Sequence, residues 1–572
     1  MLAVHAPAFL APLAIVFLAA LASAYLLHRL RQPPLIGFLL AGAIVGPFGL
    51  GLATDVEAVT TLAEAGVVLL LFTVGLELEL PNLKRLGRIV WVAGSIQVVG
   101  TIGLVEAVGL LRGYDLRRAA FFGFLVALSS TAILLTLLVE RRELDSLHGK
   151  ILVAILIFQD LAVVPMMLAV PALAGVQAGR GLMGALVALG KTVGAAVFLV
   201  VAARLIIPRL LRALAGTQQK PLFIVAVLFI VLGTALATAW AGLSAALGAF
   251  LAGLAISESD YGHQAMADIA PFRDAFNALF FVSIGMLFDP RMLVSRPAEV
   301  ATILGLILLG KTAVGALPVA LLGYGPRTAL VVGLSLAQIG EFSFVLLSQG
   351  RAFNLITAEN YQAFLGAAIL SMLASPFLTE RSHSIAARLG RAVETLGSGR
   401  LGAGGLAAEG HVVVLGFGHM GETLARVLGR AQVAYRVLDL SPERVARGRE
   451  KSIPIEYGDV TSDVVLRRAG VPRARAAILL LSDPRATRQA LRLCRQLAPR
   501  IFLLVRTRYL ADIPDLSALG ADEVVAEEFE TSFEISRRTL GALDLPVPWI
   551  EDEAAEKRHA EEAAFRRLTP GV

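Results

Sequence analysis

From Phe9 to Leu378 the chain strings together long apolar runs separated by short polar or basic breaks; beyond residue 410 the apolar runs shorten and alternate with charged, helix-like stretches. A bilayer core requires about 18–20 apolar residues per helix, so the first pattern predicts about 13 transmembrane spans, from Phe9–Leu27 to a last one near Asn360–Leu378. Arg29, Arg31 and a second span follow the first run at once, which marks a first helix and not a cleaved signal. The expected fold class is a polytopic α-helical membrane protein with an inverted repeat, joined to a cytoplasmic α/β Rossmann-like domain. The pattern divides the chain into a transmembrane domain over 1–380, a linker over 381–409, a nucleotide-binding domain over 410–540 and a charged tail over 541–572 that reads as a solvated helix.

The repeat lies within the membrane part. Leu35–Gly42 (LIGFLLAG) resembles Ala246–Gly253 (ALGAFLAG) at an offset of 211 residues; Leu71–Leu76 (LFTVGL) falls on Phe281–Met286 (FVSIGM) at 210, and Ser130-Thr131 falls on Gly340-Glu341 at the same offset. An odd number of helices between the copies makes them cross the membrane in opposite directions, the signature of secondary transporters. Glycine-rich packing faces that simply look alike are the competing explanation.

Composition agrees with lipid as the solvent: 56% of residues are hydrophobic and 17% charged, against about 45–50% and about 25% in soluble domains. The net charge of +6 does not call for nucleic acid. With the N-terminus outside, basic residues concentrate in loops facing the cytoplasm, such as Lys84, Arg85, Arg141, Arg142, Lys150, Arg209 and Arg212, and this places the C-terminal domain in the cytoplasm. The single cysteine, Cys494, allows neither a disulfide framework nor a thiolate metal site and reads as a buried thiol.

Candidate chemistry sits where polar groups interrupt apolar helices. Gln159 and Asp160 lie near the middle of KILVAILIFQDLAVVPMMLAV, and a carboxylate there is costly enough to imply a role. A group that holds either a proton or a cation, but not both, is the minimum requirement for exchange. Two further interruptions, Leu128–Thr131 and Ala337–Phe342, read as helix breaks, which would bring Ser130, Thr131 and Glu341 beside Asp160. Serine and threonine back-bonding within an unbroken helix is the alternative. Lys311 is a lone ammonium in an apolar run. Asp160 is its most interesting candidate partner, since a Lys–Asp pair that opens as a cation arrives would couple the two ions; snorkelling or neutralisation of Glu341 are the other readings. Thr73–Glu77 (TVGLE) resembles a potassium-channel filter, but its repeat partner at Val282–Leu287 and the missing pore-helix layout argue against one.

In the soluble part, His411–Leu415 reads as a buried strand entering Gly416-Phe-Gly418-His-Met-Gly421 and a helix, with Asp439 following 18 residues after Gly421 at the end of a second strand. Glycines in that context allow a tight turn and close approach to a diphosphate, and the acid suits ribose hydroxyls. Further strand and helix alternations predict a doubly wound sheet of about six strands.

Leu128–Ala132, Phe158-Gln159-Asp160, the loop His263–Phe272 and Gln338–Phe342 together resemble the cation:proton antiporter-2 family, in its potassium-efflux-like branch, over essentially the whole chain. The resemblance implies a dimeric antiporter whose core moves against a scaffold, with Asp160 as carrier carboxylate and Gln159 as the mark of a potassium preference. It makes His263 and Asp268 part of a regulatory cytoplasmic loop. That loop has Met266 and Ala270 where glutathione-gated members carry acids, which weighs against glutathione gating. The soluble domain resembles those that regulate potassium conductance and transport, in which Gly458-Asp459 would approach the adenosine.

The expected function is antiport of K+, with Na+ as a second possibility, against H+ in the plasma (inner) membrane. Membrane lipid and a second copy of the chain are the expected partners, and an adenine nucleotide (NAD(H), AMP or ATP) the regulatory ligand. No nucleic acid, no catalytic residue and no metal beyond the transported cation are expected. A nucleotide-gated channel and an NAD-dependent membrane oxidoreductase are the alternatives. The repeat opposes the first, and the lack of a substrate domain beside the glycine fingerprint opposes the second.

Overall fold

The computed structural model describes residues 10–30, 32–53, 56–77, 87–174, 205–212, 219–240, 244–397 and 409–543, with 194 and 201 as single positions. The Lys84–Arg85 loop, residues 398–408 of the expected linker and residues 544–572 of the charged tail lie outside the described residues. The chain divides into two compact units: 1–140, 150–322 and 326–393 form the first, and 141–149, 323–325 and 394–572 the second.

Among the described residues of the first unit, seven helical stretches are long and apolar enough to cross a membrane, and Pro34–Val45, Ala63–Leu76 and Ala245–Ser257 are shorter apolar helices. In chain order the helices of this unit begin with α1 (Leu10–Arg29), α2 (Pro34–Val45), α3 (Val56–Glu77), α4 (Gly87–Leu111), α5 (Leu116–Ala127), α6 (Thr131–Glu140), α7 (Leu147–Leu173), α8 (Lys220–Trp240), α9 (Ala245–Ser257) and α10 (Gly262–Met286). After one turn at Met292–Ser295 come α11 (Pro297–Gly305), a π-helical turn at Leu306–Gly310, α12 (Lys311–Leu321), α13 (Pro326–Ser335), α14 (Glu341–Ala352) and α15 (Ala358–Gly397). The unit is that of a multi-pass membrane protein.

The repeated motifs pack on each other reciprocally. A Cβ on Gly42 would lie 1.9 Å from Val282 O and one on Gly285 2.1 Å from Leu39 O; a Cβ on Gly75 would meet Phe250 O at 2.2 Å and one on Gly253 Phe72 O at 2.0 Å. The pair Gly42–Gly285 thus maps onto Gly253–Gly75 when the copies are exchanged, as a pseudo-twofold requires. Small residues do set these close helix contacts, and they do so in symmetric pairs.

Both expected interruptions are breaks. Between α5 and α6 the chain is extended, with Leu128 at φ −85°, ψ 143°, and Gly340 before α14 is extended at φ −94°, ψ 165°. Gly340 N donates to Leu128 O at 3.1 Å. A Cβ on Gly340 would stand 2.7 Å from both the carbonyl carbon and oxygen of Ser129, so the crossing requires glycine.

Two local expectations are corrected or settled. His263–Phe272, read as a loop, is the start of α10. Ala265 and Ile269, one turn apart, bury a narrow stripe while His263 faces out, and that amphipathic spacing was hidden by the density of polar residues. Thr73–Glu77 belongs to the continuous α3, where Thr73 Oγ1 donates to Leu69 O at 2.9 Å, so it has no filter conformation.

In the second unit six parallel strands, β1 (Val412–Leu415), β2 (Tyr435–Asp439), β3 (Ile455–Tyr457), β4 (Ala476–Leu479), β5 (Phe502–Thr507) and β6 (Glu523–Ala526), pair in the order β3-β2-β1-β4-β5-β6. This is the doubly wound arrangement, whose order reverses between β1 and β4. Helices α16 (His419–Arg430), α17 (Pro442–Glu450), α18 (Asp463–Arg468), α19 (Pro484–Leu497), α20 (Ile513–Ala518) and α21 (Glu527–Ala542) connect or follow the strands. Ser441 and Asp483 cap α17 and α19, each accepting a backbone N–H of the first turn. Cys494 is fully buried in the same core as Leu479 and Leu503.

Candidate cation and nucleotide sites

Asp160 lies midway along α7, half-buried, and Thr131, the first residue of α6, donates from Oγ1 to both of its carboxylate oxygens at 3.2 Å. The carboxylate therefore stands at the N-terminal end of a half-helix created by the break, the positive end of its dipole. Ser130 is fully buried, and its Oγ accepts from Ile133 N at 3.3 Å. Glu341, the first residue of α14, is buried, with its carboxylate close to Ser130 and to the backbone of Ala132 at the start of α6.

Lys311 and Gln159 have partners that the sequence did not indicate. Lys311 is fully buried and directs two of its three donors at backbone carbonyls, Leu128 O and Gln338 O, each at 2.6 Å. This differs from the expected Lys–Asp pair: the orphan carbonyls of two broken helices meet at the crossing, and an ammonium satisfies both. Gln159 is fully buried too. Its Oε1 accepts from Ser129 N at 2.7 Å, and its Nε2 donates to Gln97 Oε1 at 2.7 Å and to Ser129 Oγ at 3.4 Å. Ser129 Oγ in turn donates to Leu336 O across the crossing at 3.0 Å, not back into its own helix.

Gln97, Gln338 and Ser371 belong to this polar set and were not singled out individually. Gln338 Nε2 reaches Ser130 O at 3.5 Å, and Ser371 Oγ accepts from Ile339 N at 3.1 Å. An amide midway along the apolar α4 is the same signal that drew attention to Asp160, and it would have found Gln97. Away from this set, Asp268 on α10 pairs with Lys220 at 3.0 Å, and His263 is exposed on the same helix.

In the second unit the glycine motif has the geometry of an anion cradle. Gly416, at φ 109°, turns the chain out of β1, and a Cβ on Gly421 would meet Gly416 O at 2.1 Å, so the turn needs glycine at 416 for its backbone and at 421 for the approach of the helix. Gly418 caps α16 without a side-chain hydrogen bond, leaving the first-turn N–H groups to a ligand or water. Asp439, at the end of β2, is buried; its Oδ2 accepts from Phe417 N at 2.6 Å and Arg444 Nη1 at 3.2 Å, and its Oδ1 from Ser441 N at 2.7 Å. Gly458 N donates to Asp439 O at 3.1 Å, which sets Asp459 beside the same edge, its Oδ1 accepting from Thr461 N at 2.9 Å. The structure thus gathers Gly416, Gly418, Gly421, Asp439 and Asp459 at the C-terminal ends of β1 to β3, beside the switch point.

Residues 14–380 match the family described as "Sodium/hydrogen exchanger, transmembrane", and residues 412–527 match the TrkA-N domain. "K(+) efflux antiporter 2, chloroplastic" of Arabidopsis thaliana is 34% identical over 541 residues, covering 93% of this chain but 46% of the relative, so the chain spans less than half the length of that protein. "Putative cation/proton antiporter YbaL" of Escherichia coli (strain K12) is 33% identical over 536 residues, 91% of this chain and 94% of YbaL. The sodium proton antiporter MjNhaP1 of Methanocaldococcus jannaschii shares the fold at a TM-score of 0.51 and 17% identity, over 66% of this chain and 98% of that one. With its two broken helices crossing beside a membrane carboxylate and a Rossmann-like unit following in the sequence, the chain belongs to the sodium/hydrogen exchanger family, in the potassium-efflux-like branch that carries a C-terminal TrkA-N domain.

Proposed function

We propose that the protein exchanges K+, in preference to Na+, for H+ by alternating access, with Asp160 holding a cation or a proton. The observation that carries this reading is the contact of Thr131 with both Asp160 oxygens at 3.2 Å, at the start of a half-helix and part-open to solvent. A hydroxyl and a carboxylate there supply oxygen ligands to a cation, and the same oxygens take a proton when it leaves. Ser130, Gln159, Lys311 and Glu341 contribute to the site by holding the crossing in shape. The relatives named as K(+) efflux and cation/proton antiporters support the class of cargo.

In this reading residues 1–380 are the exchanger and 410–540 its regulator, the N-terminus faces outside, the C-terminal domain faces the cytoplasm, and two copies form a dimer. An adenine nucleotide, NAD(H), AMP or ATP, lies on Gly416, Gly418 and Gly421, with its ribose at Asp439 and its adenosine near Asp459, and biases the exchanger between its states. His263 and Asp268, both on α10, are the residues through which that bias is read.

Everted membrane vesicles carrying the protein test the proposal. Adding K+ to vesicles with an established pH gradient dissipates it, and Na+ does so less; a gradient indifferent to both ions contradicts antiport, and a cation current without proton movement favours the channel alternative.

A further inference from the structure

The structure assigns a positioning role to Gln97: through Gln159 it holds the α5–α6 break against Asp160 and thereby sets the affinity of the cation site. The inference rests on the antiport reading above.

Gln97 is fully buried midway along α4, where an unsatisfied amide would be expensive. Its amide is used on three sides. Oε1 accepts from Gln159 Nε2 at 2.7 Å, and Nε2 donates to Thr101 Oγ1 and to Ala127 O, each at 3.2 Å. Ala127 is the last residue of α5, so its carbonyl is one of those a helix end leaves without an intrahelical donor. Gln159 passes the connection on to Ser129 N at 2.7 Å. Gln97 thus fixes both ends of one short stretch, Ala127 directly and Ser129 through Gln159. Two residues beyond Ser129, Thr131 meets the oxygens of Asp160.

The packing of α4 on α7 is built for this contact. Trp91, Gly94 and Gln97 recur every three residues along one face of α4. Trp91 meets the ring of Phe158 edge-on with centroids 5.9 Å apart, and a Cβ on Gly94 would stand 2.3 Å from Phe158 Cβ. The glycine lets α4 approach closely enough for two glutamine amides to join without a bridging water.

The second copy of the repeat supplies the comparison. At the offset of 210, Gln97, Gln159 and Asp160 fall on Ile307, Ile369 and Leu370. The break there is held differently, by Ser371 Oγ accepting from Ile339 N at 3.1 Å. Beyond the Lys311 ammonium that both breaks share, the second is pinned by a hydroxyl from an apolar setting, and among the described residues the chained amides occur in the copy that carries Asp160. Fold maintenance alone does not account for that difference.

The test is K+-dependent proton exchange by the purified full-length protein in liposomes, with Asp160→Asn as control. Gln97→Leu is expected to raise the half-saturating K+ concentration about fivefold to tenfold, the effect of one lost buried hydrogen bond, with the maximal rate within about twofold of wild type. Gln159→Leu raises it at least as much. The double variant falls short of the product of the two single effects, because Gln97 reaches Ser129 only through Gln159. Should Gln97→Leu fail to fold, Gln97→Asn, too short to reach Gln159, shows the same rise. Wild-type K+ dependence in folded Gln97 variants, with Asp160→Asn inactive, overturns the inference and leaves antiport standing; so do multiplying effects in the double variant. Exchange that survives Asp160→Asn overturns both.

Discussion

The carbonyl oxygens of Leu128 and Gln338, 210 positions apart in the sequence, each accept a hydrogen bond from the same ammonium, Lys311, at 2.6 Å. They are equivalent positions in the two copies of the repeat, one in each helix break. The residue equivalent to Lys311 in the first copy is Thr101, so a single charge serves both halves of a pseudo-symmetric crossing. Lys311→Met fills the same space without donors. It is expected to destabilise the protein by about 1.5–3 kcal/mol, the range for hydrogen bonds that involve a charged group. Thermal unfolding of the detergent-solubilised protein measures this, and an unchanged midpoint contradicts the assignment.

The crossing is also a matter of space. With Ser129 backbone atoms 2.7 Å from where its Cβ would be, Gly340→Ala must push two chain breaks apart. Overpacking of this kind costs about 1–3 kcal/mol, and because the shift falls on the segment leading to Thr131, transport should fall more than the amount of folded protein does. A variant with wild-type exchange and wild-type melting shows that the breaks have room to spare.

For the nucleotide, Asp439→Ala removes the acceptor of Phe417 N, Ser441 N and the Arg444 guanidinium at once. Binding of AMP or NAD to the purified full-length protein, followed by calorimetry, is expected to weaken by about tenfold or more. Equal affinity in the variant places the ligand elsewhere.

Cys494 offers a check on the second unit that is independent of transport. Burial pushes its thiol up to about 12, so thiolate is scarce in the folded domain and iodoacetamide at pH 8 should label it only after unfolding. A thiol raised on folding contributes stability that is fully present below its unfolded value of about 8.5 and is lost as the pH climbs towards the folded value. Stability of the second unit is expected to decline from about pH 9 upward, and less steeply in Cys494→Ala. Rapid labelling of the native protein contradicts the burial.

Much of this was legible in the chain. Asp160 announced itself by cost, Gly340 and Ser130-Thr131 by the repeat, and the glycines and Asp439 by their place after buried strands. What was not legible depended on partners far away in sequence. Lys311 reads as an ammonium in search of an anion, and only the crossing reveals two carbonyls in reach. Gln159 reads as a ligand beside Asp160, but adjacent helix positions point about 100° apart, and its amide faces Ser129 and Gln97 instead. His263–Phe272 reads as loop because polar residues dominate it, whereas the buried pair Ala265 and Ile269 makes it helix.

In the proposed mechanism one carboxylate, Asp160, carries both ions. Purified protein with Asp160→Asn, reconstituted into liposomes and shown to be folded by its melting transition, should neither release protons when K+ is added nor gain thermal stability from K+, while the wild type does both. K+-driven proton release by Asp160→Asn at the wild-type rate would contradict it.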